Sequence, residues 1–426
     1  MAERQSRRSF LKGSVGGTLG GAALAAPLQG LAAAVERAPR SSSPSDLRIT
    51  GVRGGLIRGQ HSLFVKVETN QGIHGCAEAV DGVYGTYYVM KHIAERHLVG
   101  RSPLDVHRLQ EEMRRGGLFK GAQAGMYVCV MSALETALWD LVGKALGLPV
   151  YQLLGGRFRD RIRVYCDTAG SRLPPEEMGR RAKEDVEKHG FTAVKFDIDD
   201  AADPGKLDRY NWSVSLPELE RMVAQIAAVR AAVGPHVDIC VDCHGRFDEQ
   251  SGHRIAKAME PFDLLWLEEP VPAEFPEAYA RIRQETTTPI CGGENWYLTY
   301  GFRRPLEIGA CDVVMPDLQK AGGLGEGQRI ANLANTYNVP FAPHMVASYL
   351  GAMASAHVCA SVPNFLILEW QIYFHTDKMF REIVTFDGPM LTADGHIPLR
   401  DAPGIGVDID EDALRKYAVA DVPFFV

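Results

Sequence analysis

Three segments decide the fold: VDICVDCH at 237–244, LLWLEEP at 264–270 and PICGGEN at 289–295. Each is a short apolar run that closes on an acid, and those acids, Asp242, Glu268 and Glu294, stand 26 residues apart. One strand, one helix and two short loops fill such an interval, which is the repeat of a βα unit. Consecutive parallel strands would then present the three carboxylates at one rim. Carboxylates held together repel one another unless a cation lies between them. The spacing therefore predicts a Mg²⁺ site, one ion per chain, at the C-terminal face of a (β/α)₈ barrel, where such barrels carry their chemistry. Glu269 is the alternative to Glu268, because neighbours on a strand face opposite ways. A single strand-end acid is ordinarily a surface loop residue; three at equal intervals after apolar runs favour the metal.

Eight strand-like runs follow one another from Ile162: IRVYC, AVKFD from Ala193, the three segments above, DVVMPD from Asp312, PFAPH from Pro340 and FLILEW from Phe365. Stretches of helical pattern separate them at 176–188, 217–233 and 325–337, so a closed parallel barrel over 161–386 is expected. Upstream, 47–80 reads as strands with a turn at Asn70-Gln71-Gly72, and 87–148 as helix. Within it, 132–147 (SALETALWDLVGKALG) offers Ser132 as N-cap, Glu135 as its capping-box partner and Gly147 as C-cap. The tail, 387–426, holds no ninth βα unit and is expected to pack back on the N-terminal strands.

A chain of 426 residues has room for two domains. With 46% hydrophobic and 23% charged residues its composition is that of a globular protein. A net charge of −7 removes any electrostatic case for binding nucleic acid. Of the eight cysteines, only Cys240 and Cys243 are spaced like a zinc pair. Alternation along a buried strand points those two thiols to opposite faces, so they read as core residues. At the N-terminus, Ser6-Arg7-Arg8-Ser9-Phe10-Leu11-Lys12 precedes a Gly/Ala-rich stretch and a small-residue site at 31–34. That pattern reads as a twin-arginine signal over 1–34, followed by a linker over 35–46. Export to the periplasm or beyond by the twin-arginine machinery is expected. The apolar stretch is too short and glycine-rich to leave the mature chain in a membrane.

His344 ends the seventh run and Asp317 the sixth. A carboxylate that accepts from one imidazole nitrogen fixes the tautomer and raises the basicity of the other, so this pair is a candidate general base. His244 lies two residues beyond Asp242 on the same strand, hence on the same inward face. Its alternative role is to orient Asp242.

Several motifs in order carry a resemblance: Ala137-Leu138-Trp139-Asp140-Leu141, Leu153-Leu154-Gly155-Gly156, Val241-Asp242-Cys243-His244-Gly245-Arg246, Glu268-Glu269-Pro270, Gly293-Glu294, Pro316-Asp317, Ala321-Gly322-Gly323, Ala342-Pro343-His344 and Pro403-Gly404-Ile405-Gly406-Val407. From about residue 47 to its end the chain resembles the mandelate racemase-like branch of the enolase superfamily, and within it the sugar-acid dehydratases of the galactonate type. The resemblance implies an α+β capping domain built from 47–160 and the tail. It implies Mg²⁺ on Asp242, Glu268 and Glu294, and a small sugar acid as substrate. His344 would take the C2 proton, Glu369 would hold the enediolate with the metal, and His244 would assist departure of the C3 hydroxyl. Dimers or octamers are also implied. The racemases of this branch carry K-x-K on the second barrel strand, where this chain has Lys195-Phe196-Asp197. Lys195 would offset negative charge or pair with Asp197, and Asp197 would meet substrate, as would Tyr210 on the long 199–215 loop beside Arg209 and Trp212. Losing one of two bases favours elimination over racemisation. An epimerase or cycloisomerase using the same enediolate is the alternative, and an exported, non-catalytic binding protein the third reading.

Overall fold

Alternating apolar side chains in the N-terminal region form three antiparallel strands, β1 (Ile49–Leu56), β2 (Leu63–Thr69) and β3 (His74–Ala79). The computed structural model describes residues 43–58, 62–168, 170–206, 208 and 210–426. The signal read at 1–34, most of the linker, residues 59–61 between β1 and β2, and Arg209 lie outside them. The last linker residues are ordered: Pro44–Asp46 form a 3₁₀ turn, and Ser43 exchanges two hydrogen bonds with the Gln71 amide. Three helices follow, α1 (Tyr84–Ile93), α2 (Val106–Gly116) and α3 (Met126–Leu146). By length and composition α3 could cross a membrane, but it is buried on nearly every side. It packs against β3 on one side and the barrel on the other.

The barrel strands are β4 (Arg161–Asp167), β5 (Ala193–Asp197), β6 (Asp238–Asp242), β7 (Trp266–Glu268), β8 (Ile290–Gly292) and β9 (Val313–Val314), paired in parallel and in sequence order. The seventh run has no regular strand. Pro340 and Pro343 remove ladder donors there, and isolated bridges from Val314 to Phe341, Asp317 to His344 and Phe341 to Phe365 span the gap. β10 (Leu368–Gln371) then pairs with β4 and closes the ring. Between strands run α4 (Pro175–His189), α5 (Leu216–Val233), α6 (Glu249–Met259), α7 (Pro276–Glu285), α8 (Leu298–Glu307), α9 (Leu324–Thr336) and α10 (Tyr349–Ser361). Inside the ring, Ala193, Cys240, Trp266, Cys291 and Ile367 form a dry floor with Tyr165. Two residues further along four of those strands, on the same inward face, stand Lys195, Asp242, Glu268 and Glu369.

The tail divides its contacts. Residues His396–Pro398 pair antiparallel with β4 of the barrel, so not all of the tail packs on the N-terminal strands. The second part does: Phe425 N donates to Gly54 O at 2.7 Å, and Ile57 bridges Ala418. Buried Asp140 on α3 accepts from Ile405 N at 2.9 Å and Cys76 N at 2.8 Å, tying tail and sheet to one side chain. Gly404 has φ +73°, and a Cβ there would lie 2.1 Å from the Asp140 carboxylate, which is why glycine stands there.

Ser132 and Glu135 do not cap α3, which begins six residues before Ser132. Gly147 does end it, in the left-handed conformation. Ser132 Oγ instead accepts from Gly322 N at 2.7 Å, and Glu135 accepts from Leu324 N at 2.7 Å and Gly325 N at 3.0 Å, at the start of barrel helix α9. Glu78 treats α10 the same way, accepting from Ser348 N at 3.0 Å and Gly351 N at 2.9 Å. Two acids of the N-terminal region thus satisfy the open N–H groups of two barrel helices, where the helix dipole favours negative charge. A Cβ on Gly323, at φ +94°, would lie 2.2 Å from Glu135.

Burial raises the Glu135 carboxyl to about 7, against hydrogen bonds from Trp139, Gly325 and Leu324 that lower it. The folded protein therefore binds a proton that the unfolded chain has lost between pH 4.5 and 7, and this group's contribution to stability falls as pH rises through that window. Glu135→Gln should remove part of that pH dependence. It also turns an amide donor against backbone donors, so urea denaturation at pH 8 should show a loss of about 1–3 kcal/mol.

Candidate active site

Register sets the centre of the site. Across β5, β6 and β7, Asp197 is paired with Asp242 and Asp242 with Glu268, which lines up three inward acids in one row. Glu294 arrives differently from the expected strand end. β8 stops at Gly292, and Gly293, at φ +138°, turns the chain so that Glu294 reaches inward from a loop. Asp242, Glu268 and Glu294 bring one carboxylate oxygen each within 4.8 Å of one another. Glu269 is turned out of that group by a positive φ and accepts from Asn295 Nδ2 at 2.9 Å. Asn295 also donates to Glu294 Oε1 at 2.9 Å and accepts from Lys320 Nζ at 3.0 Å. Lys320 pairs with Asp81 at 3.0 Å, which carries the contact up into the N-terminal region.

Lys195 sits at the centre, 2% exposed. Its ammonium lies 2.9 Å from Glu369, 3.3 Å from Asp242 and 3.4 Å from Glu268, so its partners are these three carboxylates and the pairing with Asp197 is not the one formed. Burial opposes the Lys195 cation, but Glu268 and Glu369 outweigh it and hold the pKa well above the ordinary value. One ammonium does not neutralise its neighbours. Burial and repulsion from Asp242 keep Glu268 well above the usual carboxylate range despite Lys195. Burial, with Asp167 and Asp242 nearby, raises Asp197 to about 7. The Asp242 Oδ2 atom is buried without a hydrogen bond. Three clustered carboxylates, with the Lys195 ammonium 3.3 Å from that Asp242 oxygen and no hydrogen bond to it among the described residues, form the all-oxygen donor set of a hard divalent cation.

His344 stands across the ring. Its Nδ1 is 2.8 Å from Asp317 Oδ2, and its Nε2 faces Glu294 at 2.9 Å and Glu369 at 3.6 Å. Gln319 N holds the other Asp317 oxygen at 2.8 Å. Burial disfavours the His344 cation, but Glu294, Glu369 and the Asp317 hydrogen bond outweigh that and raise its pKa well above that of free imidazole. Glu369 is fully buried and accepts from Met345 N at 2.9 Å.

His244 is not on the strand with Asp242, since β6 ends at Asp242 itself. A left-handed turn, φ +47° at His244 and +61° at Gly245, folds the ring back over the mouth. Nδ1 lies 2.8 Å from Asp199 Oδ1, and Nε2 lies 3.7 Å from Asp242 Oδ2. Burial lowers the His244 pKa, but Asp242 and the Asp199 hydrogen bond raise it to about 11. A cleft of about 500 Å³ opens beside it, lined by His244, Glu269, Asn295 and Tyr297 from the barrel and by Ala124 and Gly125 from above. Tyr210 is 76% exposed on its loop, outside the buried cluster. Asp199, Asn295 and Lys320 are the polar residues of the site that the sequence reading passed over. Asp199 shares strand parity with Asp197, which was the available signal.

The fold and this constellation agree with what the chain resembles. A mandelate racemase / muconate lactonizing enzyme N-terminal domain model matches residues 34–155, and an enolase C-terminal domain-like model matches 177–413. The chain belongs to the enolase superfamily, in its mandelate racemase and muconate lactonizing enzyme branch. D-xylonate dehydratase of Haloferax volcanii is 37% identical over 89% of this chain and 91% of that protein. D-galactonate dehydratase of Ralstonia nicotianae is 33% identical, over 82% of this chain and 89% of its own length. Among solved structures, a mandelate racemase/muconate lactonizing enzyme-like protein from Rubrobacter xylanophilus superposes with a TM-score of 0.84. It shares 43% identity, covering 89% of this chain and 99% of that one.

A ligand that binds only the folded state stabilises it by about 2.7 kcal/mol at a hundred times its Kd. Mg²⁺ should therefore raise the Tm in differential scanning fluorimetry, and a chelator should reverse the rise. Glu268→Gln should abolish the response; an undiminished Mg²⁺ shift in that variant would remove Glu268 from the donor set.

Proposed function

We propose that this chain is a Mg²⁺-dependent dehydratase of sugar acids, forming a 2-keto-3-deoxy acid and water. One observation carries the reading: a three-carboxylate cluster lies between two histidines from the third and seventh positions of the eight-stranded ring, and their Nε2 atoms both face it. The names of the relatives point the same way.

The proton on C2 of a sugar acid is weakly acidic, because its loss adds charge to a group that is already an anion. Asp242, Glu268 and Glu294 would hold a divalent ion whose charge offsets the negative charge gathering on the substrate carboxylate, and which would share the pull that Glu294 exerts on His344. Lys195 and Glu369 frame the same end of the substrate. The Lys195 ammonium attracts the developing charge, and Glu369, accepting from Met345 N and paired with Lys195, is fixed in place. His344, with Nδ1 committed to Asp317, takes the C2 proton on Nε2. The electron pair of the C2–H bond enters the enediolate. It then forms the C2=C3 bond as the C3–O bond breaks, and the hydroxyl leaves as water with a proton from His244 Nε2. The enol so formed ketonises at C2 and takes a proton at C3. His244, its Nδ1 held by Asp199 at 2.8 Å, would deliver the leaving hydroxyl's proton from Nε2. Asp197 stands beside the mouth, where it would accept from a substrate hydroxyl.

Export belongs to the same proposal. The Arg7-Arg8 pair would direct the folded enzyme across the cytoplasmic membrane. With Arg7→Lys and Arg8→Lys together, cell fractionation should find the protein retained in the cytoplasm; unchanged export would refute twin-arginine targeting.

The reaction is tested by proton NMR in D₂O with Mg²⁺ and a panel of aldonates, aldarates and uronates. A 2-keto-3-deoxy product establishes dehydration and names the substrate, whereas appearance of the C2 epimer without loss of water means epimerisation. His344→Asn should lose both C2 exchange and dehydration by at least about 100-fold. Full activity in that variant would overturn the assignment of the base.

A further inference from the structure

We propose that Asp199 is the positioning residue of the acid His244, so that this site works with two histidine–aspartate pairs, one for each half of the elimination. The inference rests on the dehydratase reading and deepens it.

The two pairs match atom for atom. His344 gives Nδ1 to Asp317 at 2.8 Å and turns Nε2 toward Glu294 and Glu369. His244 gives Nδ1 to Asp199 at 2.8 Å and turns Nε2 toward Asp242. Asp199 is built for the purpose. The β5–β6 ladder continues one bond past β5, Ile198 N donating to Asp242 O at 3.0 Å, and the next residue is Asp199. Its side chain is 5% exposed, and its second oxygen is fixed by Arg246 Nε at 2.9 Å. Arg246 belongs to the same turn as His244, with its N–H donating to Cys243 O at 3.0 Å. Acid, aspartate and clamping arginine are therefore joined in one hydrogen-bonded unit.

The hydrogen bond decides which nitrogen does the work. While Nδ1–H stays on Asp199, the proton that leaves is the one on Nε2, aimed at the mouth. Once it has gone, the imidazole remains in the Nδ1–H form, ready to receive another at Nε2. The left-handed turn at His244 places the ring, and Asp199 fixes its rotation. Without that carboxylate the ring can turn about its χ angles or adopt the other tautomer, and neither presents a proton to the departing hydroxyl.

Because the two pairs serve different bonds, they come apart in one experiment. Wild-type enzyme, Asp199→Asn, His244→Asn and Arg246→Gln are each incubated with Mg²⁺ and the substrate that the wild type dehydrates, in D₂O. Two rates are read by NMR: deuterium entry at C2 of recovered substrate, and appearance of product. Asp199→Asn should lower kcat for dehydration by about 100-fold with KM little changed, while C2 exchange continues, reproducing His244→Asn. Arg246→Gln should move in the same direction by a smaller factor, which keeps the test open should Asp199→Asn fail to fold. Dehydration at the wild-type rate in Asp199→Asn, or exchange and dehydration falling together in both folded variants, would overturn the role of Asp199. Absence of any dehydration by the wild type would instead remove the dehydratase reading on which it rests.

Discussion

The rest of the site depends on one buried ammonium. Lys195 stands above the apolar floor of the barrel with Asp242, Glu268 and Glu369 around it, all nearly inaccessible to water. Removing charges from water costs several kcal/mol for each ion unless they are paired, and a single positive charge cannot satisfy three negative ones. The excess is held by the backbone and by neighbouring side chains. Met345 N supports Glu369, the Trp266 indole supports Glu268 at 3.1 Å, and His244 N supports Asp242 at 2.7 Å. An arrangement so biased toward negative charge costs stability in isolation, and it becomes intelligible as a receptor for positive charge. The barrel supplies the rigidity, since every one of these acids sits on or just beyond a strand whose register its neighbours fix.

The same economy of charge governs how the N-terminal region is seated. Glu78 and Glu135 are buried acids with no basic partner at hydrogen-bonding distance among the described residues, and they are stabilised by the amides that begin α10 and α9. Helix starts after barrel strands are where substrate anions commonly bind. Here two of them are already occupied by the protein's own carboxylates. Asp81, Lys320 and Asn295 complete the connection from the upper region to Glu294.

Much of this was legible in the sequence because it follows from periodicity. Eight apolar runs gave eight ring positions, and alternation put Lys195, Asp242, Glu268 and Glu369 on the inward face. What escaped was whatever depended on contacts distant in sequence or on a turn. Ser132 and Glu135 carry the spacing of a capping box, yet they serve a helix about 190 residues away; local pattern cannot say which helix an acid will meet. The seventh run lost its strand to two prolines. Glu294 looked like a strand end, but a glycine with positive φ brings it in. His244 looked like a strand residue, but it sits on a left-handed turn. Asp199 was hidden among the acids of Asp197-Ile198-Asp199-Asp200, where only its tertiary partner distinguishes it from a loop residue.

The tail carries a consequence for assembly. β1 receives a hydrogen bond from Phe425, and Asp140 holds the backbone at Ile405, so the layer above the barrel is stitched from both ends of the chain. Such contacts span almost the whole sequence, and loop closure over that distance is slow. Completion of the upper layer therefore waits on its longest loops: β1 and α3 reach their final contacts only when the residues around Ile405 and Phe425 have been brought back to them.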